Sequence, residues 1–107
     1  MEKLASIDNR LIAFIEKDGI AFISTLNLSI AFNKRHDLII NFIKTLPAGE
    51  FFEKNFKQDN EAYLISKNGF CLLSACLTHK RAHICKIDIL RAFDKMSELI
   101  KWKKVKQ

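Results

Sequence analysis

Asp18-Gly19 lies between two short runs rich in Ile and Phe, residues 11–16 and 20–24. Glycine accepts the positive φ that a tight turn demands, and β-branched and aromatic residues suit extended backbone. The pattern predicts a β-hairpin within residues 1–24, with Lys17-Asp18-Gly19 as its turn. A chain that opens this way is not an all-helical bundle, and the residues after Ser24 are patterned for helices.

The length of 107 residues suits one domain rather than two. Apolar residues make up 49% and nine are Phe, enough to fill one small core. That composition excludes a disordered chain, a collagen and a disulfide-stapled mini-protein. The opening Met-Glu-Lys-Leu-Ala-Ser-Ile-Asp has no apolar run of the kind a secretory signal needs. The longest apolar stretch, residues 69–77, is about half of the roughly 18 residues that cross a bilayer. A cytoplasmic protein without a membrane partner is expected. Cys71, Cys76 and Cys85 are odd in number and read as reduced, buried thiols. Cys76, His79, His83 and Cys85 are all zinc-ligand types, but Cys85 turns away from His83 on a helix. No metal and no other cofactor is expected.

Residues 25–46 read as two short helices joined by a tight turn. Thr25 is the first cap candidate, and Leu26, Leu28 and Phe32 are the apolar residues of the first helix. Asn33 tolerates the left-handed backbone of a tight turn. The second helix is expected from Lys34 to Thr45, with Leu38, Ile39, Phe42 and Ile43 on its packed side. Pro47, Ala48 and Gly49 end it. Ser29 is small where the helices would approach. This is the spacing of a DNA-binding helix-turn-helix. Lys34, Asp37, Asn41 and Lys44 then share one outward strip of the second helix. Asn41 suits an adenine edge. Lys34, Arg35 and Lys44 suit phosphate or guanine. Asp37 suits a cytosine amino group, or orients Arg35 or Lys34. His36 is read as a capping or phosphate contact.

Residues 51–56 fit a helical turn or a strand. Residues 57–66 form a short second hairpin, turning near Asp59-Asn60, where Lys57 is a candidate phosphate contact. Ser66 caps a helix through Leu77, with Gly69 weakening its first turn. Thr78 caps a long last helix from His79 to Lys104.

Several of these stretches are familiar. Ser24-Thr25-Leu26-Asn27-Leu28-Ser29 and Phe32-Asn33-Lys34-Arg35-His36-Asp37 resemble the opening motif of the Rha family of phage regulatory proteins. The resemblance continues through Phe52, Asn55-Phe56 and Ala62-Tyr63-Leu64-Ile65-Ser66-Lys67-Asn68-Gly69-Phe70 with Leu73, then Lys86 and Ala92-Phe93 with Met96. It implies a winged-helix-like, DNA-binding regulator of temperate phages and prophages, acting in a bacterial host. It also implies that Lys34, Arg35, His36 and Asp37 open the recognition helix and that residues 57–65 form the wing. Asn33 stands where the family usually has Gly, the segment from Phe56 to Tyr63 is short, and Thr78-His79 replaces a usual Thr-Gly.

The last helix carries an apolar stripe of Ala82, Cys85, Ile89, Ala92, Phe93, Met96, Leu99 and Ile100. Ile84, Ile87 and Trp102 fall on its charged side, and Ile84 with Ile87 is a candidate homodimer contact. The net charge of +6 lies entirely in residues 79–107, which hold nine basic and three acidic residues. Lys101, Lys103 and Lys104 are candidate phosphate contacts there.

Taken together, the sequence reads as an α+β, winged helix-turn-helix-like domain with double-stranded DNA as its partner. The alternative is a protein-interaction module, a phage anti-host factor that uses the same scaffold on a host protein. No nucleophile–base pair, carboxylate pair or phosphate-cradling Gly loop stands out, so neither catalysis nor a small-molecule substrate is expected.

Overall fold

The computed structural model describes the backbone of residues 2–7, 10–78 and 82–106, and the side chains of residues 12–78 and 82–102. It is an α+β fold. Three strands open the chain: β1 (Glu2–Ile7), β2 (Arg10–Lys17) and β3 (Ile20–Ser24). Two helices follow, α1 (Thr25–Phe32) and α2 (His36–Lys44). A short helix α3 (Glu50–Asn55) leads into the hairpin β4 (Phe56–Asp59) and β5 (Ala62–Ile65). Helix α4 (Lys67–Leu73), a 3-10 turn over Ser74–Cys76 and a long helix α5 (Ala82–Lys106) complete the fold.

The strands form one antiparallel sheet in the order β1-β2-β3-β5-β4. The β2–β3 turn is the expected Asp18-Gly19, with φ of 54° and 79°. These are the positive values a two-residue hairpin needs to match the strand twist. The opening segment holds one strand more than the expected hairpin. β1 pairs with β2 from Glu2↔Ile15 to Ile7↔Arg10, although its sequence has few β-branched residues. In the second hairpin Asp59 pairs with Ala62, so the turn is Asn60-Glu61, with Asn60 at φ 59°.

α1 and α5 pack on each other and on the sheet. A chain of aromatic contacts ties the elements together. Phe14 of β2 meets Phe93 of α5 edge-on at 5.1 Å, and Phe93 meets Phe70 of α4 at 6.1 Å. Phe70 in turn lies 6.1 Å from Phe32 of α1. Offset and edge-on rings add to the area they bury. Ile23, Leu28, Ile39, Ile43, Ile65, Leu73, Leu77 and Ile89 fill the space around them.

Several details depart from the sequence reading. Ser24, not Thr25, caps α1: its hydroxyl accepts the Leu26 N–H at 3.2 Å, and Thr25 is the first helical residue. α2 begins at His36, two residues later than expected, which leaves Lys34 in the turn and Arg35 at the cap. The stretch from Ser66 to Leu77 is not one helix, since α4 stops at Leu73. Leu38 and Leu99, assigned to the packed faces, are 45% and 40% exposed. Cys85 is buried, but Cys71 is exposed and Cys76 only half-buried. Among the described residues no helix is long and apolar enough to cross a membrane.

Candidate nucleic-acid interface

The α1–turn–α2 unit is built by local chemistry. Leu28, Ala31 and Phe32 bury one side of α1, and Ile39 and Ile43 bury one side of α2. Asn33 ends α1 in the left-handed region, at φ 50° and ψ 48°. The Lys34 N–H returns to the Ser29 carbonyl at 3.0 Å, the closure expected of a left-handed helix end. Ser29 does more than stay small: its hydroxyl donates to the Lys34 carbonyl at 2.5 Å. The turn is therefore fixed from both sides.

This fixes the phase of α2. With Ile39 and Ile43 inward, Asp37, Asn41 and Lys44 lie on the exposed face, as the helical projection requires. Leu38 lies beside them in solvent, because one residue of helix turns it about 100° from Ile39. Lys34 belongs to the turn instead of this strip. Arg35 pairs with Asp37 at 2.7 Å, both well exposed. Of the roles open to Asp37, the structure contains the one that orients Arg35. In solvent such a pair adds little stability, and it leaves most of the guanidinium open to another acceptor.

His36 is held differently. Its Nε2 lies 2.8 Å from Thr25 Oγ1, and that oxygen accepts the Tyr63 main-chain N–H at 3.1 Å. Thr25 is fully buried. One hydroxyl thus joins the start of α1, the start of α2 and strand β5. His36, half-buried, serves this junction through Nε2, a contact that its reading as a cap or phosphate contact does not include. The sequence carried no signal for it, since Thr25, His36 and Tyr63 are distant in the chain.

The second hairpin presents a surprise at its tip. Asp59, Asn60 and Glu61 are exposed there, beside Ser24, Leu26 and His36. Two carboxylates at the tip repel phosphate. Lys57 is half-buried and faces a cleft shared with Lys17, Lys54 and Lys67, away from that tip. Phe52 stacks on Phe56 at 5.1 Å and meets Tyr63 edge-on, fastening α3 to the base of the hairpin.

The turn also approaches α5. The ammonium groups of Lys34 and Lys86 both act on the Cys76 thiol, lowering its pKa, but burial outweighs them and pushes it up. Cys85 Sγ lies 3.6 Å from the Ala31 carbonyl, bringing α5 against α1. Ile84 and Ile87 are 42% and 49% exposed on α5. Lys101 is exposed near the far end of that helix, whereas the side chains of Lys103 and Lys104 lie outside the described residues. His79 lies outside them as well. Among the described residues no three His, Cys, Asp or Glu side chains come together as metal ligands.

No protein-family model matches the sequence, and no solved structure matches it. The chain is 34% identical over 85 residues to an uncharacterized protein of Haemophilus influenzae. The alignment covers 67% of this chain and 49% of the relative, so the chain spans about half the length of the curated relative it matches.

Proposed function

We propose that the protein is a phage or prophage regulator that binds double-stranded DNA through α1–turn–α2, with α2 in the major groove. The observation that carries this reading is the order and pairing of the elements. A strand leads directly into two helices joined by a fixed tight turn, a hairpin follows, and its returning strand β5 pairs with that first strand β3. A winged helix-turn-helix has this arrangement. The resemblance to the Rha family supplies the phage setting and the bacterial cytoplasm.

In this reading Asn41 reads a base edge, Arg35 and Lys44 contact phosphate or guanine, and Lys34 reaches the backbone from the turn. Asp37 holds Arg35. The wing does not enter a groove, because its tip is acidic. Binding comes mainly from phosphate contacts and weakens steeply with salt. The protein has no catalytic step of its own.

DNA selected from a random pool at fixed salt, followed by variant binding, tests this. Asn41→Ala should relax sequence preference at a cost of about 1–3 kcal/mol, and Lys44→Ala should weaken all sequences alike. Parental binding by both variants would remove α2 from the interface.

A second reading is a protein-interaction module acting on a host protein. Exposed Leu38 on α2 and the acidic hairpin tip favour it. Capture of a host protein, together with no DNA shift at low salt, selects this reading.

A further inference from the structure

β3 is paired with β5 only at Ile23↔Ile65 and Ser24↔Leu64. Nearer its start β3 keeps β2 on one side, while on the other the chain leaves the sheet at Ser66, the cap of α4. The gap opens into a cleft of about 520 Å³, backed by Phe22 of β3 and Phe93 of α5. That volume falls in the range of small-molecule sites. Ile20, half-exposed, forms an apolar lip.

The charged lining is one-sided. Lys17, Lys54, Lys57 and Lys67 reach the cleft, against one carboxylate, Asp18. Lys54 and Lys67 are paired with Glu50 at 2.9 Å and Asp94 at 2.6 Å, which are not part of the lining. Among the described residues, Lys17 and Lys57 are in no ion pair. Ammonium groups around one concavity repel each other, and a bound anion relieves that repulsion. The wall behind them is tied together by hydrogen bonds. Buried Ser66 donates to Asn55 Oδ1 at 2.5 Å, and the Gly69 N–H donates to Ser66 Oγ at 3.2 Å. Main-chain direction alternates along an antiparallel strand. With Lys17 and Ile20 flanking the turn, Ala21 directs its N–H and C=O toward the gap.

We propose that this cleft binds a phosphate-bearing small molecule. Lys17 and Lys57 hold the phosphoryl oxygens, the Ala21 N–H adds a donor, and the organic part rests on Ile20. None of the lining residues belongs to α1 or α2. The site therefore stands apart from the DNA-binding reading, and failure of one leaves the other intact.

Pyrophosphate titrated into the full chain at low ionic strength, followed by amide chemical shifts, is the test. The amides of Ala21, Lys57, Ser66, Lys67 and Asn68 should move together, with a Kd under about 1 mM. Lys17→Gln combined with Lys57→Gln should raise that Kd at least about tenfold, while Lys44→Gln on α2 leaves it unchanged. The shift pattern needs no variant, so a folding defect in the double variant does not obscure it. Shifts spread over the whole basic surface overturn the proposal. So does an unchanged Kd in the double variant, or equal weakening by Lys44→Gln. AMP and a random-sequence DNA duplex separate the sources of the phosphoryl group. AMP moving the same amides supports the small molecule. A duplex that moves them where AMP does not assigns the site to nucleic-acid backbone, and overturns the small-molecule assignment.

Discussion

Thr25 shows how much can rest on one hydroxyl. Its oxygen accepts the Tyr63 N–H and lies in hydrogen-bond contact with His36 Nε2, and the side chain is fully buried. Thr25→Val keeps the shape and removes the oxygen. The Tyr63 N–H and the His36 ring then lose a partner at a partly buried junction. A buried group left unsatisfied costs about 1–3 kcal/mol. For a chain of this size each kcal/mol lowers Tm by about 4–8 °C. Thermal unfolding of the variant should therefore show a drop of several degrees, and an unchanged Tm would mean that the junction contributes nothing. The sequence offers Ser24 and Thr25 side by side, both good cap residues. Only the backbone distinguishes them: Ser24 is extended, at φ −74° and ψ 144°, and so it takes the cap. The cap was legible to within one residue, but the role that this freed Thr25 to play was not.

At the scale of elements, Gly69 illustrates the same limit. A glycine in a first helical turn reads as a weakness. Here it is a requirement of packing, because a Cβ at this position would lie 2.7 Å from the Asn55 carbonyl oxygen and 3.0 Å from Ile65 Cγ2. That carbonyl already accepts the Ser66 N–H at 3.1 Å, so it is not free to move. Gly69→Ala gains helix propensity of roughly 0.5–1 kcal/mol but forces α4 away from the end of α3. Overpacking of this kind costs about 1–3 kcal/mol, so the variant should unfold at lower urea. A higher midpoint would show that the junction yields easily. The elements that were legible are those set by local chemistry. Asp18, Gly19, Asn33 and Asn60 all take positive φ, and each is a residue type that tolerates it. They mark the β2–β3 and β4–β5 turns and the helix-helix turn. Strand β1 was missed because its stability comes from pairing with β2. Its one local sign is Asp8-Asn9, two turn-forming types between Ile7 and Arg10. Leu38 was misplaced because packing chooses between neighbouring apolar residues: with Ile39 and Ile43 turned to the core, Leu38 lies about 100° away in solvent. The lysine cleft was invisible, since Lys17, Lys54, Lys57 and Lys67 meet only through the sheet order.

For the whole molecule, the distribution of charge separates two tasks. Residues 1–78 hold equal numbers of basic and acidic groups, and the entire +6 belongs to residues 79–107. The exposed strip of Asp37, Asn41 and Lys44 on α2 therefore lies in a neutral part of the chain, and the long-range field comes from α5 and the segment before it. A field of that kind draws in a polyanion without reading its sequence. If the protein binds DNA as proposed, affinity and preference should come apart when the end of the chain is removed. The cut must fall beyond Ile100, which is buried at 3% exposure and belongs to the core. Deleting residues 103–107 removes Lys103, Lys104 and Lys106 and keeps every buried residue that the structure describes on α5. Each lost phosphate contact lowers the slope of log K against log salt by about 0.9. The truncated protein should therefore bind less tightly at low salt, with a shallower slope, while the sequences it selects stay the same. A slope equal to that of the full chain would show that these lysines do not meet the backbone. A change in the selected sequences would assign readout to the tail, and α2 would no longer account for specificity.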